Sequence, residues 1–469
     1  MKKWILWILL MQASSIASAQ RVYTPAELQQ DFKVMEAALQ EAHPGLYRYN
    51  SKAAINQLFN AMQLKLNKGM TELEFYRLAT PLLSAIGDGH LKWHRKDKVD
   101  DHHAFFDEGY FPLQLYFRKN KAYLRSSYVP GETLTPGTEI ISINGESIDK
   151  IIKVLVNNMG SDGHVVSSKY EELNHFFAGY YATYIGPSKK FTVAYIGTNG
   201  KEATATLPSI NKSNITNEAP SNDSFNVTYP EKGVALLRIP VFEDEDKTPS
   251  YADFLASAFK EIKQKKISSL IIDLRDNEGG TDAFGYELYS YLTNKPFRYY
   301  DHFTVVTNKP YSFSKYAQFP PGIDSLKATL VKVGNEYHFM YKDGLDMIEP
   351  QPDAFTGKVY ILQNGLSFSV TSEFCSITKD NNRAVFIGDE NGGTFQGNNS
   401  GAFALVELPN TKLGLDIPLL GYYMHLQHPH PSAEGIPADY SVIPTIQDVL
   451  QKKDVVMDKA LQLINKKEQ

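Results

Sequence analysis

The 469-residue chain carries 48 basic and 53 acidic side chains, a formal charge of −5, with both signs interspersed and no long basic run. That balance leaves no electrostatic footprint for nucleic acid, so this partner class is excluded. The length exceeds the size at which one core stops growing, so two or three domains are expected.

Two lysines, the apolar run Trp4 to Met11 and the small residues ending in Ala17-Ser18-Ala19 have the layout of a secretory signal peptide. This predicts a mature chain from Gln20 and a periplasmic or secreted location. The apolar run is short for a membrane span, and no later stretch is long and apolar enough to be one. Cys375, the single cysteine, rules out an intramolecular disulfide and reads as a small buried apolar residue.

Thr24-Pro25-Ala26-Glu27 is a capping box with proline at the first helical position, and Leu28, Phe32, Met35 and Leu39 follow at helical spacing. A second helix is expected around Ile55, Leu58 and Met62, and a third opens at Thr71-Glu72-Leu73-Glu74. This helical region ends in the turn Ile86-Gly87-Asp88-Gly89-His90. Short alternating strands follow, among them Phe111 to Phe117, Ala122 to Arg125 and Phe191 to Tyr195. Pro136 to Gly145 reads as a strand closed by an Asn-Gly hairpin turn, with a helix from Ser147 to Val156. That stretch resembles the core of a PDZ domain.

Residues 210–224 are polar and turn-rich and read as a linker or long loop. Beyond them, strands at Val234 to Ile239, Leu270 to Leu274 and Val359 to Leu362 alternate with helices at Tyr251 to Lys265, Ala283 to Leu292 and Val370 to Thr378. Apolar strands alternating with helices predict an α/β layered core. The expected organisation is a signal peptide over 1–19, a helical region over 20–100, a PDZ-like β domain over 105–210, a linker over 211–225 and the α/β core over 226–469.

Two stretches carry chemistry. Asn364 to Glu373 follows a buried strand and opens a helix, placing a serine where unpaired helix N–H groups face a developing negative charge. Ser369 stands at that junction, with Ser367, Thr371 and Ser372 as neighbouring hydroxyls. Ile271 to Gly280 is a buried strand running into a charged turn and two glycines, whose backbone N–H groups lie open at the strand's C-terminal end. Taken alone, such a stretch reads first as a tight strand-to-helix turn with a structural glycine pair.

In order along the chain, Leu270 to Gly280, Gly365 to Phe374 and Arg383 to Gly393 resemble the C-terminal processing (tail-specific) serine peptidase family. The resemblance takes in Gly87 to His90, the PDZ-like segment and the closing Gly435 to Asp439, and it points to the branch of the tricorn core and the interphotoreceptor retinoid-binding protein repeats. It implies a layered crotonase-like (ClpP-like) core and a serine endopeptidase working through an acyl-enzyme on a peptide or protein substrate, with no cofactor. Ser369 falls on the nucleophile, and Gly279 or Gly280 with Val370 on the oxyanion donors. The lysine base of the tail-specific branch would land near Thr394, yet no lysine stands between Lys379 and Lys412. The histidine base of the other branch falls on His90, whose imidazole suits a base that must be neutral near pH 7. Glu434, before the closing motif, is the expected orienting carboxylate, with Asp88 and Glu373 as competitors.

Histidines at 90 and 94, and at 425, 428 and 430, raise a metal site as a further chemistry, but the segment from His90 to His94 lacks the glutamate of the zinc-protease motif and carries Lys92, so no metal is expected. Aromatic clusters such as Phe176 to Tyr181 keep open a non-catalytic protein that binds a peptide or apolar ligand on the same fold. Oligomeric state is left open.

Overall fold

The computed structural model describes residues 21–466 apart from 132–133, 198, 217–223, 245–248 and 431–432. The signal-peptide segment and much of the expected linker therefore lie outside the described residues. No described helix is long and apolar enough to cross a membrane.

Three helices open the chain, Pro25–Ala42, Lys52–Lys65 and Glu72–Ile86. Thr24 and Thr71 each close a capping box, with the side chains of Glu27 and Glu74 returning to the cap N–H groups. The third helix stops at Gly87, which takes the left-handed conformation (φ 77°) that glycine adopts without a Cβ clash. These helices do not build a core of their own. Leu28, Met35, Leu39 and Phe75 join one apolar cluster with Leu413, Leu415, Ile417 and Leu419, almost four hundred positions away in the chain. Asp31 fixes the junction, accepting from the Thr411 hydroxyl at 2.6 Å and from the backbone N–H groups of Asn410 and Thr411, both at 2.8 Å.

Next comes an antiparallel sheet in the order Glu202–Pro208, Lys190–Ile196, Glu139–Ile143, Lys121–Ser127, Leu113–Arg118. Helices Ile148–Val156 and Ser167–Tyr184 cover it, and Ile148, Ile151, Ile152 and Leu155 turn one face of the first helix onto Phe191 and Val193. Asn144 and Gly145 both take positive φ (51° and 83°), as the expected two-residue hairpin turn requires.

The remaining chain supplies a six-stranded sheet in the order Asn226–Glu231, Val234–Arg238, Ser269–Asp273, Lys358–Gln363, Val385–Gly388, Tyr440–Ser441, parallel from the second strand onward. Every residue of Ser269–Asp273 is buried, which is why that strand reads as an unbroken apolar run. Helices Tyr251–Gln264, Asp282–Ser290 and Val370–Asp380 pack on one face; Val455–Asn465 packs on the other. A second, largely antiparallel sheet lies beyond the first helix layer. Its long strand Gly414–Met424 gives Leu420, Tyr422 and Met424 to those helices and Leu415, Ile417 and Leu419 to the N-terminal helices. Lys92–His94, which begins two residues past His90, adds itself to the edge of that strand and so carries the histidine turn to the α/β core.

Candidate active site

Strand Lys358–Gln363 ends at Asn364, and the chain turns sharply into helix Val370–Asp380. Ser369 is the N-cap, with φ 56° and ψ −124°. A serine in that region is strained, by about 1–3 kcal/mol, and persists because its neighbours hold it. Phe368 N–H donates to Asn277 O at 3.1 Å, and Ser367 Oγ donates to Leu274 O at 2.8 Å. Asn364 Nδ2 reaches Asp276 Oδ1 at 2.6 Å, while Asn364 Oδ1 accepts from Asp276 N–H at 3.0 Å. The two chemistry-bearing stretches are thus laced together. Of the four hydroxyls at this junction, Ser367 is used as described, Ser372 donates to Asn391 Oδ1 at 2.6 Å, and Thr371 is buried. Ser369 alone meets an imidazole.

It belongs to His90, whose Nε2 lies 3.0 Å from Ser369 Oγ. Its ring packs on Phe368 with centroids 4.6 Å apart. Burial pushes its pKa down to about 4, against the nearby Asp88 carboxylate, so the imidazole is neutral over the physiological range. The Asp88 carboxyl would be raised by its own burial, but His43 and His90 bring it to about 2. His43 Nδ1 accepts from Gly45 N–H at 3.1 Å, so its proton sits on Nε2, 3.1 Å from Asp88 Oδ2.

The glycine pair follows. Gly279 sits at φ 102° against Ser369, where an added Cβ would fall 2.7 Å from Ser369 Cβ and 3.0 Å from Val370 N. Its own N–H is spent on Asn277 Oδ1 at 2.9 Å. Among the described residues, the N–H groups of Gly280 and Val370 meet no protein acceptor. Asn277, fully buried within the Leu270 to Gly280 motif, was given no role from sequence: it also donates to Ile239 O at 2.9 Å and so fixes the glycine loop to the sheet.

The structure does not bring Glu434 to His90. Its side chain is 61% exposed and its carboxylate faces His164 at 4.0 Å, because the loop before Gly435 runs over the surface. Glu373 is buried but occupied elsewhere, accepting from Tyr300 at 2.6 Å and Asn398 at 2.8 Å. Of the three carboxylates weighed from sequence, Asp88 is the one beside His90, accepting its backbone N–H at 2.7 Å. Of the other histidines raised as metal ligands, His94 contacts Asp416, His425 contacts Asp301, and His428 and His430 share Asp380.

Ser369 and His90 open onto a cavity of about 690 Å³. Lys92, Glu172 and Glu278 contribute charge to its lining, and Trp93, Phe176 and Tyr180 contribute aromatic surface.

Residues 233–442 match the sequence model of Peptidase family S41, a family of serine-type peptidases. The matched stretch holds Ser369, Val370 and both glycines but stops far short of His90. No curated relative matches the sequence. Among solved structures, mature CPAF complexed with lactacystin superposes with a TM-score of 0.67 at 16% identity, over 94% of this chain and 98% of that one. Mature CPAF by itself gives 0.66 at 16% identity, over 95% and 99%. At that identity the likeness is one of fold.

Proposed function

We propose that this chain, a serine-type peptidase with a Peptidase family S41 domain over residues 233–442, is a periplasmic or secreted endopeptidase with Ser369 as nucleophile and His90 as general base. The observation that carries the reading is the 3.0 Å contact between Ser369 Oγ and His90 Nε2, made by a serine in a strained conformation at a helix N-terminus.

In this mechanism a peptide lies extended along the cavity with its scissile carbonyl carbon above Ser369. His90 takes the hydroxyl proton as Oγ attacks, and the carbonyl oxygen becomes an oxyanion facing the N–H groups of Val370 and Gly280. Each such donor is worth on the order of a hundredfold in rate. Gly279 keeps the space beside the serine clear. The imidazolium then protonates the leaving amine, the C–N bond breaks, and an acyl-enzyme on Ser369 remains. Water, deprotonated by His90, attacks the ester and returns the serine. In this proposal the six-stranded sheet and its helices serve as a crotonase-like layer and the sheet over 113–208 as a PDZ-like module beside the cleft, with the domain borders carried over from the sequence as part of the proposal.

The experiment is covalent labelling by a fluorophosphonate, run beside cleavage of a casein or peptide panel. Wild type labels at one site and cleaves; Ser369→Ala does neither while melting at an unchanged temperature. Folded wild type that neither labels nor cleaves any of the panel makes the protein a binder of peptide or apolar ligands instead.

A further inference from the structure

When His90 Nε2 accepts the serine proton, Nδ1 must carry the other ring proton, both before the step and in the imidazolium that follows. Nδ1 is buried and meets no acceptor among the described residues. A second buried atom is in the same position: Asp162 Oδ2 has no donor, while its partner oxygen accepts from Gly89 N–H at 2.9 Å. A ring nitrogen of His90 and one oxygen from each of Asp88 and Asp162 lie within 4.8 Å of one another, a gap that a side-chain rotation or one water closes. Asp88 is already committed. Its Oδ1 takes the His90 backbone N–H at 2.7 Å; its Oδ2 takes Asn399 Nδ2 at 2.7 Å and faces His43 at 3.1 Å.

We propose that Asp162 is the positioning residue of His90, its free oxygen accepting the Nδ1 proton directly or through one water and so selecting the tautomer in which Nε2 is the base. This rests on the Ser369–His90 reading above. Asp162 lies between helices Ile148–Val156 and Ser167–Tyr184, the two that cover the 113–208 sheet. That segment is clamped in place: Gly163 N–H donates to Gly87 O at 2.9 Å, His164 N–H to Ala433 O at 2.7 Å, and a Cβ on Gly163 would fall 2.3 Å from Ala433 O. The catalytic group is then assembled from three separate parts of the chain, and the β-rich part beside the cleft completes it. A peptidase whose covering module supplies the histidine's partner is active only while that module is seated.

The groups facing Asp162 set its pH behaviour. Burial and the Asp88 charge, with Glu373 beyond it, push its carboxyl up to about 8, against the Gly89 N–H and Arg48. Tyr49 also faces it, held by Thr394 at 3.0 Å. A protonated Asp162 donates to Nδ1 and holds the unproductive tautomer; an ionised one accepts. Turnover therefore rises as pH passes upward through that value.

The test is kcat/KM against pH on a fluorogenic peptide for wild type, Asp162→Asn, Asp162→Glu and Ser369→Ala, with thermal melts of each. Asn is isosteric and still accepts from Gly89, but its amide donates to Nδ1. Asp162→Asn is expected to lose on the order of 10²–10⁴-fold in kcat at alkaline pH with KM little changed. Its rise near pH 8 disappears and its melting temperature holds, while Asp162→Glu recovers part of both the rate and the rise. Wild-type turnover in Asp162→Asn overturns the proposal, as does a uniform loss that tracks a lowered melting temperature with the profile unchanged. A wild-type profile flat from pH 6 to 9 overturns it without any variant, and so does activity abolished by a chelator and restored by zinc. Cleavage by Ser369→Ala removes the underlying reading itself, whatever Asp162→Asn does.

Discussion

Asn399 donates its side-chain N–H to Asp88 Oδ2 at 2.7 Å, across 311 positions of the chain. Through that bond the second sheet holds the turn that presents His90. Asn399→Asp puts a further carboxylate at hydrogen-bond distance from a buried one, and two like charges there cannot both ionise. The variant is expected to be destabilised by about 1–3 kcal/mol at neutral pH. The loss should shrink as pH falls, because a shared proton restores the bond. Urea unfolding at pH 7 and pH 4 measures both values; equal losses at the two pH values would count against the coupling.

Ser369 stores strain that a glycine does not feel. Ser369→Gly and Ser369→Ala are both expected to be inactive, but Gly keeps φ 56° at no steric cost and Ala does not. The Gly variant should be the more stable by about 1 kcal/mol. Paired thermal melts read this difference directly, and a more stable Ala variant would mean the serine backbone relaxes on substitution.

His90 titrates low because it is buried, so its neutral, competent form persists down to about pH 4. The sign is that of a base: activity is lost as pH falls through that value, not through the ordinary histidine range. With Asp162 ionising higher, kcat/KM should climb in two steps. A single acid limb near pH 6.5 in a stopped assay would show that the imidazole is solvated.

Gly279→Ala is expected to abolish cleavage, since its Cβ would fall 2.7 Å from Ser369 Cβ on a backbone at φ 102°. Gly131→Ala, also at positive φ but with nothing within 4 Å, is the matched control and should cost about 1 kcal/mol of stability with full activity. Similar activities in the two would remove the packing argument.

Glu434→Gln should cleave within about twofold of wild type, because an exposed carboxylate paired at 4.0 Å with His164 contributes little. A hundredfold loss in kcat would return the orienting role to that loop.

Much of this molecule is determined locally. Thr24 with Glu27 and Thr71 with Glu74 start their helices through bonds that span a single turn. The buried run through Ile271 and Ile272 can only be a covered strand, and the junction at Ser369 is set by the strand before it and the helix after it. The order of the motifs, through the family they resemble, therefore marked Ser369, His90 and the glycine pair as candidates. The second sheet was not legible: Tyr300–Val305 pairs with Gly414–Met424 from far along the chain, and both faces of Gly414–Met424 are buried, which erases the two-residue alternation. Nor was the surrounding of His90. Asn399 and Asp162 lie in no motif, and Asn277 lies in one that assigns it no role, because what each does depends only on where folding places an amide or a carboxylate. Proximity along the chain favoured Glu434 before a recognisable motif; burial decided otherwise, since a carboxylate acts on an imidazole only where water is excluded and the two are held together. Sequence marked Ser369 and His90 as the groups proposed to react, and tertiary structure chose among the groups around them, because only folding sets distance and burial.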